Sequence, residues 1–178
     1  VNPLGSKGGA AKFLVVDGRA DGVFRYDASG GFVNRSKLDE ENVEPQGIAS
    51  NAAGDTYWVI GDDEHVFVYR ADGSLRGAWE AERAHDSRDI AVDGNGIWVV
   101  TAQRRVFYYA GAASERSGEE WPDRSFTLTK ADKSPTGIVT DGLHTKAKIA
   151  NITPKRVHEL LDAGNIVTIA GFQGETAD

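Results

Sequence analysis

The chain has 178 residues, of which 40% are hydrophobic and 26% charged, as in a globular protein of one domain, or one domain plus a piece of another. Acidic residues exceed basic ones by 27 to 20, so a non-specific surface for nucleic acid or anionic membranes is not expected. The absence of cysteine excludes disulfides and thiolate chemistry, and no apolar stretch approaches the roughly 20 residues of a membrane-spanning helix.

Residues 1–11 contain no apolar run of signal-peptide length and predict a disordered N-terminal segment. The chain is expected to start within a gene or after processing. From residue 12 onward, short apolar segments recur in a unit of about 42 to 48 residues. Each repeat holds a continuous apolar strand followed by a strand that begins with Val-Phe and ends in tyrosine. In chain order these pairs are Phe13–Val16 with Val23–Tyr26, Tyr57–Ile60 with Val66–Tyr69, and Ile97–Val100 with Val106–Tyr109.

Two further elements complete the unit. A segment that precedes a strand pair reads Pro45–Ser50, then Ser87–Val92, and returns as Pro135–Thr140. A fourth strand is predicted at Leu75–Glu80 and Ser125–Lys130. Glycine-containing turns separate the strands. Four antiparallel strands every forty-odd residues are typical of a β-propeller blade, so residues 12–136 predict a mainly β fold, an incomplete propeller with two nearly complete blades and parts of two more.

Two motifs resemble those of NHL-like propeller repeats. Pro45–Ala49 matches a P-x-G-I-A motif, and Val23–Gly30 matches a V-x-x-Y-D-x-x-G hairpin; the resemblance covers residues 12–142. It implies a propeller outside the cytoplasm and specifies no ligand. The corresponding function is a non-catalytic binding or structural module for an unknown protein or carbohydrate. Unpaired strand edges predict self-association.

The period ends after Gly142, and a different pattern follows. Thr153 and Pro154 are typical of a helix start, and they predict a helix over residues 155–163. The apolar run Asn165–Ala170 predicts a buried strand that leads into a glycine-rich loop. Residues 137–178 therefore predict a short C-terminal α/β segment.

This segment resembles an interior part of aspartokinase, an amino-acid kinase. Thr140–Ile149 matches a T-D-x-x-H-x-x-A-x-I motif, and Ala170–Gly174 matches the turn A-G-F-Q-G. The resemblance implies a parent enzyme in the cytoplasm that phosphorylates aspartate with ATP and magnesium in lysine and threonine biosynthesis. The candidate phosphate or substrate-loop residues that it implies are Thr140, Asp141, Gly171, Phe172, Gln173 and Gly174.

The kinase motif set is incomplete. The family's K-F-G-G-T motif has no counterpart, because Lys7-Gly8-Gly9 lacks the phenylalanine. Phosphoryl transfer needs lysine, metal and positioned donors together, so we expect no complete catalytic set, no bound cofactor and no activity from this chain. The two resemblances overlap at Gly137–Gly142, which favours a chimera joined at a short shared stretch.

The sequence contains further candidate sites. A calcium site could form from Asp62-Asp63-Glu64 together with Asp55. The spacing of these residues does not match a twelve-residue calcium loop, so a solvated turn is favoured. Trp121, in a long insertion between repeats, is the candidate for an exposed binding contact. No metal site is predicted. The remaining histidines, tryptophans and serines lack the pattern of a metal, sugar or hydrolase site, so structural or surface roles are favoured for them. These residues are His65, His85, His144, His158, Trp58, Trp98, Ser114, Ser117 and Ser125.

Overall fold

The computed structural model describes residues 11–140, whose strands form three sheets that follow one another along the chain. The first sheet contains β1 (Phe13–Asp17), β2 (Gly22–Tyr26) and β3 (Phe32–Lys37). The second contains β4 (Pro45–Ser50), β5 (Thr56–Gly61), β6 (His65–Arg70) and β7 (Leu75–Ala81). The third contains β8 (Ser87–Asp93), β9 (Gly96–Thr101), β10 (Arg105–Tyr109) and β12 (Arg124–Thr127). Between β10 and β12 lie a 3₁₀ turn (Ala112–Ser114) and β11 (Glu119–Glu120).

The strand order explains the sequence pattern. Consecutive strands pair in antiparallel fashion within each sheet, and β5 and β9 are buried along their whole length. A strand covered on both faces has no solvent side, so it is a continuous apolar run without alternation. The outer strand β3 is mostly exposed and correspondingly polar, which is why the aromatic and β-branched pattern did not predict it.

The core consists of layers between neighbouring sheets. Successive side chains of a strand point to opposite faces, so Tyr57 and Val59 pack towards the first sheet, while Trp58 and Ile60 pack towards the third. Trp79 of β7 meets Tyr109 edge to face, with ring centroids 5.6 Å apart. The sheets are therefore held together by large apolar side chains.

Two strand predictions differ from the structure. The segment Pro135–Thr140 forms no strand, yet Ile138 is buried against the third sheet and its N–H donates to Asp89 at 2.8 Å. The described residues contain no strand to pair with this segment. The strand predicted to reach Lys130 ends at Thr127, because Thr127 already pairs with Arg105, the first residue of β10.

The described residues include only parts of the first and last predicted segments. Of the predicted N-terminal segment only Ala11 is described, and of the predicted α/β segment only residues 137–140, so the helix and strand predicted there lie outside the described residues. Within residues 11–140, no helix is long and apolar enough to cross a membrane.

Candidate binding surface

The insertion between β10 and β12 crosses to the neighbouring sheet. Its strand β11 pairs in parallel with β7 and adds a fifth strand to the second sheet. Backbone hydrogen bonds from Glu80 N–H to Gly118 (2.9 Å) and from Glu82 N–H to Glu120 (3.0 Å) fasten it there. The insertion therefore ties the second and third sheets together and covers part of an edge that would otherwise be open.

A glycine makes this crossing possible. The backbone of Arg116 lies directly over Gly77 of β7, in the space that any Cβ at residue 77 would occupy. At the base of the insertion, Asp123 accepts a hydrogen bond from Ala110 N–H at 2.6 Å, and Ser114 donates to Asn95 at 2.7 Å. The insertion is thus anchored at both ends.

Trp121 is the exposed aromatic side chain that this insertion presents. Its exposed fraction is 56%, whereas Trp58, Trp79 and Trp98 are at most 7% exposed. The Arg83 guanidinium lies 5.1 Å from the centre of the Trp121 ring, within cation–π range. The packing of Trp58 and Trp98 agrees with the structural role favoured for them. The binding role of Trp121 stays a prediction.

Three carboxylates cluster where β7 and β11 pair, a pairing that ends one residue before Trp121. Oxygens of Glu80, Glu82 and Glu119 lie within 4.8 Å of one another, and we call this group the acidic rim. Glu80 and Glu119 are paired across β7 and β11. Glu120, the second residue of β11, is not a member of the rim. Burial raises its pKa, and nearby acidic side chains add to the shift. Sequence reasoning missed the rim because its members come from segments nearly forty residues apart, and only the parallel pairing brings them together.

The residues considered for calcium do not assemble. Asp55 lies in the β4–β5 turn, at the opposite end of the second sheet from the β5–β6 turn that holds Asp62–Glu64. Hydrogen bonds from Asn51 and Thr56 lower the pKa of Asp55. Asp62 interacts instead with Glu44, and their hydrogen bond raises the pKa of Glu44.

Glu64 is a buried carboxylate in the β5–β6 turn. One of its oxygens lies 2.8 Å from His85 Nδ1, and the other has no hydrogen-bond partner among the described residues. Burial raises the pKa of Glu64; the adjacent His85 opposes the shift, and Glu80 and Glu82 add to it.

The remaining histidines and serines form no catalytic or metal constellation among residues 11–140. His65 contacts Asp63 at 3.2 Å, and Ser125 accepts a hydrogen bond from Arg105. His144 and His158 lie outside the described residues.

Asp89 is a second buried carboxylate and joins three segments. It occupies the position at which the other copies of the repeat have Gly47 and Gly137. Its Oδ2 accepts the Ile138 N–H, while Oδ1 faces Gly47, has no partner among the described residues, and occupies space that a Cβ at residue 47 would need. Burial raises the pKa of Asp89 to about 7, although hydrogen bonds from Ile138 and Ile90 oppose the shift.

Of the residues implied by the kinase resemblance, only Thr140 belongs to the described part of the chain. Its hydroxyl donates to the Val92 carbonyl at 3.1 Å, an ordinary packing contact with β8. Asp141 and Gly171–Gly174 lie outside the described residues.

Comparison with known proteins supports both resemblances. No family model matches the chain. A stretch of 55 residues, 31% of the chain, is 47% identical to the aspartokinase of Mycolicibacterium smegmatis, of which it covers 12%. A stretch of 58 residues is 48% identical to the aspartokinase of Corynebacterium glutamicum and covers 13% of it. The chain thus spans about an eighth of the length of these relatives.

The solved structures that resemble the chain include β-propellers. The described fold is propeller-like. A streptogramin B lyase structure superposes with a TM-score of 0.50 and 14% identity, over 70% of this chain and 40% of that one. The WD40 domain of Neurospora crassa Pan2 gives a TM-score of 0.46 and 11% identity, over 61% and 31% of the two chains.

Proposed function

We propose that the chain is a non-catalytic binding module, an incomplete β-propeller that presents Trp121 and the acidic rim to a basic segment of a partner protein. The exposure of Trp121 carries this proposal. Three of the four tryptophans are buried, while the fourth stands on an anchored insertion with more than half of its surface in water. Tryptophan is the residue type most enriched among those that dominate binding energy at protein interfaces.

The charge around Trp121 favours the class of partner. The rim carboxylates repel one another at their close spacing, and a lysine or arginine side chain placed between them would relieve that repulsion. Arg83 already covers one part of the indole, so a partner would use the remaining exposed surface. A basic peptide with an apolar residue satisfies both features.

The test is a binding titration with a fluorescent peptide of alternating lysine and leucine, and with a matched glutamate–leucine peptide. We expect the lysine peptide to bind, with affinity falling as salt rises. Trp121→Ala should weaken binding by about 2 kcal/mol, or about thirtyfold, and Glu119→Gln by a smaller factor. Phe126→Ala removes another exposed aromatic residue, on β12, and serves as the matched control.

Equal affinity of the Trp121→Ala variant would contradict the proposed surface. Binding of a neutral oligosaccharide at Trp121 without binding of the lysine peptide would contradict the assigned partner and favour a carbohydrate. We also propose that open strand edges cause self-association. A monomeric profile in light scattering at high concentration would contradict that part.

A second candidate is a fragment of aspartate kinase, favoured by the 47% identity over 55 residues. Under this alternative the loop residues 171–174 would approach phosphoryl oxygens through backbone N–H groups. Because the kinase motif set is incomplete, we expect calorimetric titration with ATP and magnesium to give no binding heat. Micromolar binding would overturn the non-catalytic assignment.

We further propose that the chain is a chimera of two genes. This rests on two resemblances to unrelated folds, a propeller and an amino-acid kinase, that meet at Gly137–Gly142 without a linker. A single long DNA read across the codons of residues 120–178 should diverge at the junction. One uninterrupted gene with complete domains on both sides would contradict the chimera.

A further inference from the structure

A cavity of about 290 Å³ opens between the first and second sheets, away from Trp121 and the acidic rim. Its polar lining includes Lys12, Arg25, Asn34, Ser50 and Tyr57, and Leu14 lies on its apolar wall. This volume is close to the lower end of the range for small-molecule sites. The cavity therefore suits a compact ligand with one polar group and a short apolar part.

Arg25 is a buried cation in this lining. The residue is only 5% exposed, and no ion pair of the described residues includes it. Its guanidinium donates to Ser36 Oγ at 2.7 Å, to Asn34 Oδ1 at 3.3 Å and to the Tyr57 hydroxyl at 3.5 Å, and it lies 5.5 Å from the centre of the Tyr57 ring. All of these partners are neutral. Two of its five N–H groups therefore have no partner among the described residues.

The charges around Arg25 leave its own charge largely uncompensated. Asp72 is the acidic residue that interacts with it, but from beyond ion-pair distance. The carboxylate of Asp72 is already engaged by the backbone and hydroxyl of Ser74, whose hydrogen bonds are the main reason that its pKa is lowered. Lys12 adds a second cation to the lining, and residues 1–10 contain no acidic side chain.

We infer that this cavity is a binding site for a small organic carboxylate. A buried guanidinium without a counter-ion is costly, and a carboxylate ligand that accepts its free N–H groups would remove that cost. The guanidinium fork fits a planar carboxylate with two parallel hydrogen bonds. Lys12 would add a second attraction, and the apolar wall around Leu14 would cover a short hydrocarbon tail.

The test measures binding of butyrate to the full chain by calorimetry, with butyramide as the uncharged isostere and inorganic phosphate as a second anion. We expect butyrate to bind with a dissociation constant of about 1 mM, as its size allows. Arg25→Gln and Lys12→Gln should each weaken binding, the former by at least about tenfold. Arg19→Gln removes an exposed arginine in the β1–β2 turn and serves as the control with unchanged affinity.

Arg25 is buried, so its substitution can also affect folding. Lys12→Gln and Tyr57→Phe keep the buried guanidinium, and a weakened butyrate affinity in either variant, with an unchanged unfolding temperature, would support the site. Equal binding of butyramide and butyrate, absence of butyrate binding up to about 50 mM, or binding of phosphate alone would overturn it. These results are independent of peptide binding at Trp121.

Discussion

The buried carboxyl of Asp89 predicts a specific pH dependence of stability. Its pKa in the folded protein is about 7, against 3.8 in the unfolded chain, because burial penalises the charged form. A raised pKa means that the folded state holds the proton more tightly. The contribution to stability is therefore full below about pH 4 and is lost as the pH rises to about 7. A shift of about three pKa units corresponds to a loss of about 4 kcal/mol across this range.

Asp89→Asn removes this titration while it keeps an oxygen that accepts the Ile138 N–H. We expect the two proteins to have similar free energies of unfolding near pH 4, where Asp89 is protonated. The variant should gain up to about 4 kcal/mol relative to the original chain by about pH 7.5. The measurement is urea unfolding followed by circular dichroism at intervals of pH. Contributions from other titrating groups, such as Glu64, are common to both proteins and cancel in the difference.

The matched control is Asp132→Asn, which makes the same side-chain change at a partly exposed aspartate outside the strands. If the difference between Asp89→Asn and the original chain stays constant within about 0.5 kcal/mol from pH 4 to 7.5, Asp89 is not buried as described.

Three further substitutions test the packing. Gly77→Ala should displace the insertion and cost about 1–3 kcal/mol, measurable as a change in Trp121 fluorescence and in urea stability; an unchanged Trp121 signal would be inconsistent with the crossing. Trp79→Ala should lower the free energy of unfolding by about 3–5 kcal/mol, whereas Trp121→Ala should change it by less than about 0.5 kcal/mol; similar losses would contradict the burial difference. Tyr69→Phe removes the hydroxyl that accepts hydrogen bonds from the side chain of buried Asn42 and from a neighbouring backbone N–H. Thermal denaturation should therefore show a free energy of unfolding lower by about 1–3 kcal/mol. An unchanged stability would contradict these hydrogen bonds.

The central strands were predictable because their signal is local. The apolar run Tyr57–Ile60 lies within β5, Thr56–Gly61, and Val106–Tyr109 lies within β10. Repetition strengthened each prediction, since the same pattern returns in every sheet. The polar edge strand β3 escaped prediction because an exposed strand needs no apolar residues, and β11 because its two glutamates become a strand only through pairing with β7.

The candidate surface was predictable only in part. The position of Trp121 in an insertion indicated exposure, but the rim carboxylates depend on a parallel pairing that no sequence period records. Asp89 did leave a signal, since alignment of the repeats places it where two other copies have glycine. Its burial, however, follows from the approach of Gly47 and Ile138, which only the three-dimensional packing specifies.

The most direct test of the proposed function is to map where a basic peptide binds. Titration of the isotope-labelled chain with the lysine–leucine peptide, followed by two-dimensional NMR, reports on the backbone amides and on all four tryptophan indole N–H groups. We expect the largest shifts at Arg83, Glu119 and the Trp121 indole, with the three buried indoles unchanged. Shifts confined to the β4–β5 and β6–β7 turns, at the opposite end of the second sheet, would contradict the account.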